Sequence, residues 1–185
     1  MAIYMKGFHV FRVFFSRPLT KSDLNFILEK CSVLERKQKY IFFIREKYFH
    51  SPVQAHVAFI HALEYTKKRH IFKKTAVAFL VFMSCSKEIN KALQAGLCVN
   101  DTETLLISFN FPTEDALIES LKEEGIMNLI AKIEKIEQRT SPYNRLKETF
   151  NISEKELKAT YAESQEEALL KCILMRIART KLELL

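Results

Sequence analysis

The densest cluster of ionic side chains in the sequence is KKRHIFKK (67–74), five Lys or Arg and one His in eight residues. Phe72 interleaves with the charges and Tyr65 precedes them. Cations at that density grip phosphates, while an aromatic ring or an imidazole stacks on a nucleobase. With three phosphate contacts on a single strand, log affinity falls with log salt at a slope of about −2. A solvated connection with Phe72 turned inward fits the same residues, and the sequence leaves both open.

Bond-making chemistry is harder to assemble. His56 and His61 share a helical segment but are five residues apart, about 140° around the axis, so they do not converge on a metal as an i, i+4 pair does. His9, His50 and His70 have no cysteine or carboxylate at ligand spacing. Cys31, Cys85, Cys98 and Cys172 form no Cys-x-x-Cys pair and read as buried thiols of a reducing compartment. Cys85, between two serines before a helix, is the one conceivable nucleophile, yet no base is singled out for it. Three glycines (7, 96 and 125) are too dispersed to cradle a phosphate. The expectation is a chain with no catalytic residue, no metal site and no cofactor.

The elements that position the basic run read as alternating strands and helices. FHVFRVFFSR (8–17) and YIFFI (40–44) suit strands. Thr20 with Asp23 marks a helix start, with Leu24, Ile27, Leu28 and Cys31 on one face. SPVQAHVAFIHALEYTKKR (51–69) is the clearest helix: Ser51 caps it, Pro52 sits at its first position, and Val53, Val57, Ile60 (or Ala58) and Leu63 or Tyr65 supply a broad apolar face. TAVAFLVFM (75–83), nearly all apolar, reads as a central strand covered on both faces. A short helix capped by Ser86 or Ser84, with Ile89, Ala92, Leu93 and Gly96 or Leu97 at spacings of three and four, then stops at Gly96 in a left-handed conformation. Asn100-Asp101-Thr102 turns the chain into TLLISF (104–109), and a right-handed crossover would make these last two strands parallel. Beyond Pro112, 113–125 is a helix stopped by Gly125, and MNLIAKIEKIE (127–137) leans to a strand. Ser153/Glu156 and Ser164/Glu167 open two further helices as capping boxes. The expected fold class is α/β (α+β mixed), one domain over 1–185 with a mixed central sheet and helices packed on it.

Charge divides along the chain. Residues 1–100 hold 17 basic against 6 acidic side chains, a net of +11, whereas 101–185 hold 12 against 16. That asymmetry points to a polyanion contact on the first half. No apolar run approaches the ~20 residues needed to cross a bilayer. Lys6 and Arg12 interrupt the first apolar stretch, which argues against a secretory signal. A cytoplasmic location is expected, or nuclear in a eukaryote. The C-terminal helix carries Ala168, Leu169, Leu170, Ile173, Leu174, Ile177 and Ala178, a face wide enough to dock a partner as well as a core.

The run RHIFKKTAVAFLVFMSCSKEINKALQAGLCVNDTETLLI (69–107) resembles the PRPK-binding protein family (TPRKB), the small non-kinase subunit of the KEOPS complex. The likeness rests on Arg69 and Ile71 ahead of an apolar segment ending in Met83-Ser84. Ile89, Ala92 and Leu93 follow, then Gly96-Leu97 and Asn100-Asp101-Thr102. The helix from Ser51 and ALLKCILMRIA near the C-terminus fit the same layout. The family usually carries one more residue before the glycine, where here Ala95 meets Gly96.

The resemblance implies a non-catalytic subunit in threonylcarbamoyladenosine formation on tRNA. Such a subunit binds and supports the PRPK-type kinase/ATPase, reaches the threonylcarbamoyl transferase indirectly, and contacts tRNA including its 3′ CCA end. RNA contacts are then expected at Lys67, Lys68, Arg69, His70, Lys73 and Lys74. Kinase contacts are expected at exposed apolar positions Leu93, Leu97, Ile173 and Ile177, with Arg176 at the rim. The competing readings are a stand-alone RNA-processing enzyme using Cys85 or a histidine, and a pure protein-interaction module.

Overall fold

A computed structural model describes residues 7–68, 71–136 and 141–184, with only the backbone of Lys68. In chain order the elements are β1 (His9–Phe15), α1 (Lys21–Arg36), β2 (Tyr40–Ile44), α2 (Pro52–Leu63), α3 (Thr75–Ser84), α4 (Ile89–Leu93), β3 (Glu103–Phe109), α5 (Glu114–Glu123), β4 (Ile130–Lys135), α6 (Tyr143–Thr149), α7 (Glu154–Ala159) and α8 (Gln165–Glu183). A 3-10 turn at Glu46–Tyr48 precedes α2, a second at Ile126–Leu129 precedes β4, and a π-helical turn at Glu64–Lys68 continues α2. The fold is α/β: a four-stranded sheet with helices packed on it. Its residues fall into two compact units, one within Met1–Ile44 and Leu97–Glu137, the other within Arg45–Gly96 and Gln138–Leu185.

The sheet unit has strand order β2-β3-β1-β4, and every ladder in it is antiparallel. β1 and β2 therefore run the same way with β3 between them. Together with α1 and α5, the strands follow the β-α-β-β-α-β order of the ferredoxin-like, split βαβ class. The connection from β2 to β3, a tight hairpin in the simplest version, is here expanded into α2–α4. One face presents Phe11, Val13, Phe15, Ile41, Phe43 and Leu106 to Ile27 and Leu34 of α1 and Leu117 and Leu121 of α5, forming one buried cluster. Each such side chain contributes roughly 1.5–3 kcal/mol by leaving water.

Local chemistry fixes the ends of these elements. Thr20 and Asp23 form the reciprocal capping box of α1. Arg17 holds the same carboxylate by two bonds of 2.7 and 3.0 Å. Those bonds, followed by the ones from Thr20, hold the Asp23 carboxyl well below the usual carboxylate range. Gly125 takes φ +77 after α5, as its place beyond the helix end requires. Asp101 accepts the Cys98 N–H at 2.7 Å, closing the expected turn before β3.

Unit two is helical. α2 packs on α3 and α8, and α3 also packs on α4 and α8. Gln54, fully buried, ties the start of α2 to its surroundings. Its amide donates to Tyr48 O at 3.0 Å and Met83 O at 3.3 Å, and its oxygen accepts the His50 N–H at 2.7 Å. Ser164 caps α8, but the Glu167 carboxylate reaches back to the Glu163 N–H, not to the cap itself.

Four expectations are corrected. Residues 75–83 form a helix, α3, so no parallel crossover leads into β3. An unbroken apolar run fits a buried helix as well as a buried strand, and ten residues exceed the usual strand. Second, the inner face of α2 is Gln54, Ala55, Ala58, Phe59 and Ala62, while Val53 and Ile60 point outward, 43% and 50% exposed. Third, Gly96 is not left-handed; Asn100 is, at φ 69. A Cβ at Gly96 would meet Leu80 Cδ1 at 2.9 Å, so close packing under α3 is what that position needs. Fourth, Ile173 and Ile177 are fully buried and belong to the core.

Truncating Ile173 to Ala is therefore expected to cost about 2–5 kcal/mol in the denaturation midpoint. Met175→Ala, on the exposed side of α8, should stay within about 0.5 kcal/mol. Equal effects at both positions would overturn this orientation of α8.

Candidate functional site

The basic run is split between two helix ends. Lys67 and Lys68 lie in the π-helical turn that follows α2, and Lys67 is exposed. Lys73 and Lys74 stand immediately before α3, both exposed, with Lys74 as its N-cap. Arg69 and His70 lie outside the described residues. Phe72 is buried, so of the two readings of this ring the inward-turned one holds.

The placement of Lys73 and Lys74 is electrostatically unfavourable. A helix N-terminus carries partial positive charge and prefers a carboxylate. No acidic residue occupies the first turn of α3, and Lys74 makes no side-chain capping bond. Two ammonium groups thus add to the dipole of a ten-residue helix. An anion at this point relieves the repulsion.

Behind the run lies a polar lock. Tyr65 is fully buried and donates its hydroxyl to Lys181 O at 2.7 Å. The Lys181 ammonium reaches Glu64 Oε2 at 3.0 Å, and His61 Nδ1 lies 3.6 Å from the same oxygen. Burial pushes the His61 imidazole below its ordinary value, Lys181 adds to that, and Glu64 opposes both.

The expected partner contacts are dispersed. Leu93 is 44% exposed on α4, beside Ile89 at 47%, one helical turn away. Leu97 packs against the sheet-unit core. Arg176, placed at a rim by the sequence, is half-buried and braces the α6–α7 corner, donating to Phe150 O at 2.8 Å, Asn151 O at 2.6 Å and the Glu156 carboxylate. The sequence reading missed the outer side of α2, where Val53 and Ile60 flank half-buried Val57. Its signal was legible: a helix apolar on every side has one side too many for a surface position.

A cleft of about 390 Å³ lies between Tyr48, Ser84, Cys85, Lys91, Phe150 and Arg176. Cys85 ends α3 at φ 53, a left-handed conformation usually taken by glycine. Burial pushes its thiol up to about 12, against a smaller opposing pull from Arg176. At neutral pH the sulfur is therefore protonated and a poor nucleophile. Among the described residues, no three His, Cys, Asp or Glu side chains gather closely enough to hold a metal ion. No helix among them is long and apolar enough to cross a membrane.

No family model matches the chain, and no curated protein matches it.

Alkylation with iodoacetamide at pH 8, read by mass spectrometry site by site, should find Cys85 slower than a free cysteine by on the order of a hundredfold or more. Labelling of the native protein at the rate of an unfolded control would contradict the buried, protonated state.

Proposed function

We propose that the chain is a non-catalytic adaptor that contacts tRNA through its basic run and a PRPK-type kinase/ATPase through exposed apolar helix faces. This is the role expected of the small KEOPS subunit in threonylcarbamoyladenosine formation. The observation that carries the reading is the pair Lys73–Lys74 at the positive end of α3, with no acidic residue in the first turn. Self-repulsion of this kind is retained where a polyanion relieves it. The excess of basic residues in 1–100 supports the same reading.

The resemblance assigns the kinase as protein partner, and the exposed positions revise where it would dock. Ile173 and Ile177 are core, which leaves Val53 and Ile60 on α2, with Ile89 and Leu93 on α4, as the apolar contacts. Exposed large apolar side chains of this kind are candidates for interaction sites. The protonated Cys85 thiol weighs against the reading as a thiol-dependent RNA-processing enzyme.

Two variants separate the surfaces. Lys73→Glu with Lys74→Glu should weaken tRNA binding about tenfold or more and make its salt dependence shallower by about 2. Val53→Glu with Ile60→Glu should cost about 2 kcal/mol or more of kinase affinity while tRNA affinity holds. Unchanged tRNA affinity and slope in the first variant would remove the RNA role from this segment. Unchanged kinase capture in the second would remove the docking role from α2.

A further inference from the structure

We infer that Tyr65 is the positioning residue of the basic run, and that the last turn of α8 is the anchor it uses. The inference rests on the reading of that run as an RNA contact.

The chain leaves the π-helical turn and returns to a single atom. Tyr65 O accepts the Ile71 N–H at 2.9 Å and the Phe72 N–H at 3.5 Å. Lys67 departs two residues after this carbonyl, and Lys73 and Lys74 follow directly on Phe72. The described cations on both sides of the run therefore emerge around one backbone oxygen. Where Tyr65 sits decides how far apart they stand.

Three contacts fix Tyr65. Its ring packs edge-on against Phe82 of α3, with centroids 5.3 Å apart. Its hydroxyl donates to Lys181 O at 2.7 Å. The neighbouring Glu64 takes the Lys181 ammonium at 3.0 Å. The Lys181 carbonyl lies in the final turn of α8, where carbonyls lack a partner within the helix. The tyrosine hydroxyl supplies that missing donor. One residue of α8 thus holds two consecutive residues of the π-helical turn, by its backbone and by its side chain. A π-helical turn is an uncommon geometry that persists where surrounding contacts hold it.

Phosphate gripping by several lysines requires their spacing to match that of the strand. Cations held at fixed separation engage their phosphates together, whereas cations on a loose loop lose entropy with each contact. The Tyr65 hydroxyl supplies no charge to RNA. Its effect is on how many lysines act at once, a quantity that the salt slope measures.

Tyr65→Phe keeps the ring and removes only the hydroxyl, and a chain ending at Thr180 removes its acceptor. Each should speed amide exchange at Ile71 about tenfold, lower tRNA affinity about five- to tenfold, and make the salt slope shallower by about 1. Both changes remove the Tyr65–Lys181 bond, and the truncation also removes the Lys181–Glu64 pair, so the combined variant should lose no more than the truncation alone. Thermal melting of Tyr65→Phe serves as the check on its fold. Unchanged Ile71 exchange, or lower affinity with an unchanged slope, overturns the positioning role. If the unaltered protein binds no tRNA, the RNA reading fails, and Ile71 exchange alone then decides whether the lock exists.

Discussion

The helical unit is organised around one constraint: α3 has no polar side. Between Lys74 and Lys87 the sequence carries no charged residue, and Ala78, Phe79, Val81, Phe82 and Met83 are completely buried. Such a helix has to be enclosed, because every face left in water exposes apolar area. Enclosure sets what its neighbours present to it. α2 turns its alanines, Ala55, Ala58 and Ala62, inward, and small residues let helix axes approach closely. The larger Val53 and Ile60 are thereby displaced to the outside, where they are exposed. The charges nearest to α3 in sequence stand beyond its ends, with Lys73 and Lys74 immediately before its N-terminus.

That constraint also explains what the sequence revealed and what it hid. Most caps were legible, because a side-chain oxygen bonding an N–H three residues on is local: Thr20, Ser51, Ser153 and Ser164 each cap a helix, whereas α4 has Glu88, and neither Ser84 nor Ser86, at its N-cap. The strands at 9–15, 40–44 and 103–109 were legible from their β-branched and aromatic content, whereas the spacing of IAKIEK (130–135) fits an amphipathic helix as well as a strand. The 75–83 segment was not legible, since a run without polar residues has no period to read. A strand at 75–83 would imply a parallel crossover, and the long β2–β3 insertion masks the ferredoxin-like order. The outward face of α2 was inverted for a related reason. Large aliphatics outrank alanines in any estimate of which face is core, yet the aromatic side chains Phe59, Phe79 and Phe82 already occupy the interior. The basic run was visible as composition. Its electrostatic strain was not, because that depends on knowing a helix begins at Thr75.

Cys85 shows a second limit of local reading. Next to two serines and ahead of a helix, it has the neighbours of an activated thiol. Activation, however, requires stabilisation of the thiolate, and burial works the other way. Its left-handed backbone is better understood as the stop of α3. The Cys85 N–H bonds Phe82 O at 3.3 Å and the Ser86 N–H bonds Val81 O at 3.1 Å, closing carbonyls that a helix end leaves open. A residue other than glycine in this conformation costs about 1–2 kcal/mol, and the paired carbonyls offset part of it.

How charge is used distinguishes the two halves of the chain. In the acidic half, carboxylates and cations are matched locally: Glu156 with Arg176, Glu154 with Lys147, Glu167 with Lys171, Glu183 with Arg179. Arg176 illustrates the consequence. Its donors close the α6–α7 corner, so a guanidinium that looked available for a partner is committed to the fold. Exposed pairs of this type add little stability, but they leave a surface with small local potential. Lys73 and Lys74 have the opposite setting, beside each other and against a like-signed helix end. Charge that the fold has matched internally has little left to offer a ligand, whereas charge held against a repulsive field binds counter-charge with a gain in free energy. On that argument the start of α3 favours negative charge, and the sign of the helix dipole there, more than the number of lysines, sets that preference.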